Sequence, residues 1–260
     1  MVILKGLLSE QAYNHFMLLS VACRILSSRD FYKIYHAQAK NYLKTFVKAA
    51  THPDLYGPKF LVINDHNLTH LADDVENLDC PVMDYSAFCS ENALKTLKDC
   101  IECGNKPLAQ VVNKIQDNME CEKPVVQPEF QAITITEVNP SLFSYKRMHS
   151  HGCELSLDEG NNVVSLTNGE MMRIESMTSN CKNSQPSQIV IKGTKIKNIG
   201  PAFTYPCNSS ILDIHAVTGV HNEPIQSTLN LVQHKLALFK ICKVPGEAAE
   251  SYAMALLHMN

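Results

Sequence analysis

A change of hydrophobic period near the middle constrains this chain more than any single motif. Up to about residue 120, apolar side chains recur at spacings of three and four, which suits helices that bury one face. Residues 121–132, CEKPVVQPEFQA, carry two prolines and no period. Beyond them, short β-branched runs alternate with turn residues, which suits strands. The expected fold class is therefore α+β, with helices and strands segregated along the chain. The expected boundaries are a helical domain over 1–122, a linker over 123–131 and a small all-β, SH3-like barrel over 132–260.

In the helical half, Ser9 is placed to cap a helix over 9–27, with Phe16, Leu19, Cys23 and Leu26 as its apolar stripe. A second helix is expected over 30–50, capped by Asp30, with Lys33, Lys40, Lys44 and Lys48 mostly off its inward face. Those lysines suit a solvated face or a phosphate-contacting ridge. The breakers His52-Pro53 and Gly57-Pro58 follow, and then FLVI at 60–63 reads as a short buried strand or an apolar helical turn. From Asn64 or Asp65 a single helix is expected to run to about Leu78. Another begins near Glu91, and a last one runs from Pro107 to about Met119.

The densest polar chemistry lies between Tyr56 and Leu97. His66 and His70, four apart, share one helix face, which is the spacing of a zinc-binding helix. The glutamate of an H-E-x-x-H motif is absent, since Asn67 follows His66. A third ligand would come from Asp74 or Cys80. The same residues also suit ordinary structural histidines and solvated acids. Cys100 and Cys103 form a lone C-x-x-C without the second pair of a zinc ribbon. His149, His151 and Cys153 form an H-x-H-x-C whose alternate residues would share a strand face.

The order FLVINDHNLTHLADDV, DYSAF, SENALKTLKDCI, NKPLAQVVNKI resembles the region downstream of the catalytic core in CACTA-type (En/Spm-like) transposases and the transposase-derived proteins of invertebrate animals. Those read as H-x-x-x-H-L-x-D-D, then an F-P-F-E-N turn opening a helix with L-x-x-L-K, then K-P-x-x-Q-x-V. The likeness covers about residues 9–120 and, more weakly, the β-rich part, where Y-P-C-x-S-S matches 205–210. It implies that Glu91 stands where the third carboxylate of a two-Mg²⁺ nuclease would stand, although the turn here reads F-C-S-E-N. The strands that would carry the first two carboxylates are not found upstream of Tyr56. The resemblance therefore implies an accessory, interacting protein of nuclear location. It would act through a protein partner or self-association, reaching DNA only indirectly. A metal-dependent nuclease fragment using Glu91 is the alternative.

In the β-rich half, strands are expected over 132–138, 162–166 and 171–176, the last two joined by an N-G hairpin turn at Asn168-Gly169. Further strands are expected over 188–191, 194–199, 203–205, 211–217, 229–231 and 235–242, with an apolar tail over 251–259 packing back. Phe203 and Tyr205 form a close aromatic pair. At i, i+2 they would share a face and could bind a peptide, making a chromatin or regulatory reader a further alternative.

The net charge is −3, and neither half is basic, which argues against a self-sufficient nucleic-acid binder. No apolar run approaches a membrane span, and MVILKGLL lacks a signal-peptide core, so an intracellular location is expected. The ten cysteines are scattered and read as free thiols.

Overall fold

The computed structural model describes residues 1–121, 130–139, 142–150, 153–181, 184–241 and 249–256, and it is α+β. The linker expected at 123–131 lies outside the described residues, apart from the first residues of β1. Helix α1 (Glu10–Ser27) begins where expected, and the Ser9 hydroxyl accepts from the Ala12 amide at 3.3 Å. Its fully buried positions are Met17, Leu18, Val21, Ala22, Ile25 and Leu26, a face rotated from the expected stripe. The rotation follows from burial on two sides, because α1 lies between α2 (His36–Ala50) and the β-rich half.

Helix α2 starts six residues later than expected. Asp30 is not its cap. The amides of Phe31 and Tyr32 instead turn back onto the Ser28 carbonyl, and Tyr35 takes the N-cap position without a side-chain bond. The stretch 60–63 is neither buried nor a strand: Leu61 and Val62 are exposed and Ile63, 74% exposed, opens α3 (Ile63–Asn67). A strand needs a paired neighbour, and every paired strand among the described residues lies at or beyond residue 130.

The helix expected from residue 64 to 78 is broken. Between α3 and α4 (Leu71–Leu78), the amides of Leu68, Thr69 and His70 bond three residues back instead of four. Helix α4 is held to the α2 side by Lys40 on Asp73, by Lys33 on Asp79 at 2.7 Å, and by His36, whose Nε2 donates to the Ala72 carbonyl at 2.7 Å. Ala72 and Val75 enter the core beneath. Short α5 (Val82–Tyr85), then α6 (Phe88–Asp99) and α7 (Pro107–Cys121) complete the helical half.

Among the described residues, nine strands form one antiparallel sheet. They are β1 (Phe130–Asn139), β2 (Leu142–Ser150), β3 (Cys153–Ser156), β4 (Val163–Leu166), β5 (Met171–Ser179), β6 (Val190–Pro201), β7 (Ile214–Thr228), β8 (Val232–Ile241) and β9 (Glu250–Ala255). The order is β1-β2-β5-β4-β8-β9-β7-β6, with β3 beside β2 and a further pairing of β5 with β6. The N-G turn closes β4 onto β5 as expected: Gly169 has φ +82° and the Leu166 amide donates to the Glu170 carbonyl at 2.8 Å.

Several strand boundaries differ from the expected ones. Residues 188–191 and 194–199 belong to one strand, β6, whose Gly193 is an interior residue. A Cβ there would stand 1.8 Å from the Arg173 carbonyl oxygen, so glycine permits β6 to cross closely over β5. Residues 209–212 and 229–231 are 3₁₀ turns, and the strand expected at 211–217 begins at Ile214 and continues to Thr228. The apolar tail is a sheet member through β9, paired with both β7 and β8.

Three main cores result. One joins α1, α2 and α4 to Ala202, Phe203, Leu212, Ile214 and Tyr252 of the β-rich half. A second lies among β2 to β6 and β8, around Tyr145, Met148, Leu155, Met172 and Ile191. A third takes Val163, Met171, Ile196, Val217, Leu236, Ala253 and Ala255 from β4 through β9.

The first core contains one charge. Arg24, 7% exposed, donates from Nε and Nη2 to the Leu212 carbonyl at 3.2 and 3.0 Å, and from Nη2 to the Ala255 carbonyl at 2.7 Å. Burial lowers its pKa to about 10, against the opposing pull of Asp213, so it stays charged at neutral pH.

Two stability predictions follow from these contacts. Replacing Arg24 by Met strands two buried carbonyls and is expected to destabilise the fold by about 2–4 kcal/mol, read as a lower urea midpoint. Gly193→Ala is expected to cost about 2 kcal/mol or more, because the atom it would meet is backbone rather than a movable side chain.

Candidate functional site

Apolar side chains are left uncovered at the end of the chemically dense region 56–97 and in the helix that follows it. On α6, Leu94 and Leu97 are exposed. Ile101 follows in the turn, and Leu108, Val112 and Ile115 are exposed on α7, Leu108 at 79%. Within each helix these positions lie three or four apart, the spacing of a helix face that normally meets a partner. The turn between α6 and α7 is firmly built. The Gln110 side-chain oxygen accepts from the amides of Glu102 (2.8 Å) and Cys103 (3.3 Å), and its nitrogen donates to the carbonyls of Cys103 (2.9 Å) and Asn105 (2.6 Å). Lys114 bonds Glu102 at 2.8 Å and holds that carboxyl below its ordinary range. The apolar stripe is thus carried on a defined turn.

Glu91 sits exposed in the first turn of α6, its amide bonded to the Ala87 carbonyl at 2.8 Å. At that place a carboxylate meets the positive end of the helix dipole. Among the described residues, no group of three or more His, Cys, Asp or Glu side chains is arranged to hold a metal ion.

His66 and His70 do converge. Although α3 and α4 are separate, the tight turn between them brings the two Nε2 atoms to 3.3 Å, with ring centroids 5.1 Å apart and the rings steeply inclined. Both are exposed. Asp73 is held below its ordinary range chiefly by the hydrogen bond from Lys40. Asp74 is exposed and bears instead on Tyr85, whose phenol is raised by burial first and by that charge second.

Phe203 and Tyr205 are not on a strand, although both line one open groove. Phe203 is 6% exposed and belongs to the core against α1 and α2, whereas Tyr205 is 45% exposed. The cause is Ser209. Its hydroxyl accepts from the Ala202 and Phe203 amides at 2.8 and 3.3 Å and donates to the Ile214 carbonyl at 2.7 Å, pulling 202–203 inward as a loop. Tyr205 lines an open groove of about 530 Å³ with Lys5, Glu10, Tyr13 and Asn14. Beside it His15, stacked on Phe46 at 4.2 Å, donates from Nε2 to the Phe46 carbonyl at 2.8 Å.

Of the cysteines, Cys100 is buried and Cys103 exposed, and both are free thiols. Cys153 is buried, its pKa raised by that burial, and it donates to the Ser150 carbonyl at 3.2 Å. His149 is exposed on β2, and His151 lies outside the described residues. Sequence reasoning missed Arg24 and Ser209. A lone arginine inside an apolar helix was the available signal for the first. The second had none, because its three partners lie five to seven residues away across one irregular loop, where neither helix nor strand period applies.

Residues 129–249 match the model of a family described as a domain of unknown function, DUF8592. The match lies in the β-rich half and covers a little under half of the chain. No curated protein matches it. Among the described residues, no helix is long and apolar enough to cross a membrane.

The two aromatics are expected to separate on mutation. Phe203→Ala should cost about 3–5 kcal/mol of stability, the usual effect of emptying a buried aromatic site, while Tyr205→Ala should change it by less than about 1 kcal/mol. Chemical denaturation of the two variants checks this.

Proposed function

We propose that this chain is an assembly module whose working surface is the α6–α7 arm, and that its immediate partner is a second copy of itself. The observation that carries the reading is the uncovered stripe of Leu94, Leu97, Ile101, Leu108, Val112 and Ile115 on two helices and the turn between them. Fully covered, the stripe would bury on the order of 500 Å² per copy, so a symmetric pair reaches roughly the lower bound for a specific interface. The arm carries both signs of charge, with Glu91, Asp99 and Glu102 beside Lys95, Lys98 and Lys114. Two copies therefore meet without a repelling field, and an antiparallel approach sets the acidic start of α6 against its basic end.

The resemblance to CACTA-type transposase-derived proteins adds the context: an accessory part acting in the nucleus beside a nuclease core, touching DNA through its partners. The near-neutral balance of both halves fits that indirect role. The SH3-like barrel is the finer fold proposed for the strands β4 to β9. Their pairings run from β5 through β4, β8, β9 and β7 to β6, which pairs β5, and the third core draws on each of the six. The alternative, a nuclease fragment built on Glu91, would require further carboxylates to meet it.

Sedimentation of the full chain tests the reading. A dimer is expected at tens of micromolar, with Leu108→Asp and Val112→Asp each sedimenting as folded monomers. A wild-type chain that remains monomeric at several hundred micromolar overturns self-assembly as the role of the arm.

A further inference from the structure

The convergence of His66 and His70 has a use that packing does not require. Both rings are exposed, so neither fills a core. A tetrahedral Zn²⁺ takes imidazole nitrogens at about 2.0–2.1 Å, which places two such ligands about 3.3 Å apart. The two Nε2 atoms stand at 3.3 Å already. The same spacing suits an N–H···N hydrogen bond between neutral rings, which is the competing account of the pair.

The supports of the two rings differ in a useful way. His70 is the N-cap residue of α4, and its carbonyl accepts from the Asp74 amide at 3.0 Å. Helix α4 is in turn tied down by Lys40, Lys33 and His36, and by Ala72 and Val75 in the core. His66 lies one tight turn earlier on α3, its amide bonded to the Val62 carbonyl at 3.1 Å. The Asp65 carboxylate accepts from the Val62 amide at 3.1 Å and steadies that short helix. The backbone thus sets the two imidazoles side by side in solvent, their Nε2 atoms 3.3 Å apart.

We propose that His66 and His70 form a two-ligand site for an imidazole-seeking divalent transition ion, Zn²⁺ above all, with its two remaining positions taken by water. Imidazole favours Zn²⁺, Cu²⁺ and Ni²⁺, whereas Mg²⁺ takes oxygen ligands, so the site discriminates against Mg²⁺. Asp74 is not a ligand. The ion bridges the break between α3 and α4 and joins them as one rigid unit. The site is independent of the α6–α7 arm and stands or falls separately from the assembly reading.

The test is calorimetric titration of the full chain with Zn²⁺ and with Mg²⁺, repeated on His66→Gln, His70→Gln, the double variant and Asp74→Asn. The double variant accounts for zinc taken up by thiols. The expected result is one Zn²⁺ per chain that is weakened at least tenfold in each single histidine variant, is lost in the double variant and is unchanged in Asp74→Asn, with no Mg²⁺ uptake at the pair. Both histidines are exposed, so unfolding midpoints without metal should match wild type. Zinc uptake indifferent to both histidine changes overturns the proposal, as does no uptake in a folded wild-type chain. Either result leaves the hydrogen bond as the only role of the pair. Weakening by Asp74→Asn equal to that of the histidine variants overturns the ligand set.

Discussion

A single buried guanidinium joins the two halves of this protein. Arg24 rises from the last turn of α1, a helix otherwise lined by Met17, Val21, Ala22 and Ile25, and ends on the carbonyls of Leu212 and Ala255. Those carbonyls belong to a 3₁₀ turn and to the last residue of β9, which the chain brings together through the Ala255 amide on the Asp213 carbonyl at 2.9 Å. A charge taken out of water is tolerated only where hydrogen bonds replace its hydration. The register of α1 against the sheet therefore cannot slip without losing them. The surrounding apolar contacts supply the driving force, and Arg24 selects one arrangement among those that apolar contact alone would permit.

From that junction the rest of the architecture divides by how firmly each part is held. Helix α2 packs on α1, and α4 is held to the α2 side by two ion pairs and a histidine, so the helical body is continuous with the core it shares with Phe203 and Tyr252. The arm formed by α6 and α7 is different. Its turn is well ordered by Gln110, yet its apolar positions face outward. A protein surface rarely keeps six large apolar side chains on two successive helices and their turn without a covering partner. The histidine pair lies elsewhere, at the break between α3 and α4, and its chemistry is different: the arm offers area, the pair two nitrogens at ligand spacing.

Residues 60–63 and 203–205 show how local apolar runs mislead in opposite directions. FLVI at 60–63 is apolar enough for a buried strand or a helical turn, but among the described residues no strand lies beside it, and its last residue, exposed, opens α3. Phe203 and Tyr205 alternate as strand residues would, but the buried hydroxyl of Ser209 captures the amides of 202 and 203 and turns the loop inward. In each case the deciding contact comes from residues outside the run.

What the sequence determined by itself was whatever depends on the local backbone. The helical half, the β-rich half, the Ser9 cap and the Asn168-Gly169 hairpin were legible because period, capping and left-handed turns are properties of a few consecutive residues. Tertiary structure alone decided which faces are buried, because a face is buried only when something distant covers it. It rotated the inward side of α1, merged two expected strands into β6 across Gly193, drew β9 into the sheet and broke the 64–78 helix while keeping its histidines together. The i, i+4 spacing named the pair, and only the fold could set 3.3 Å between them.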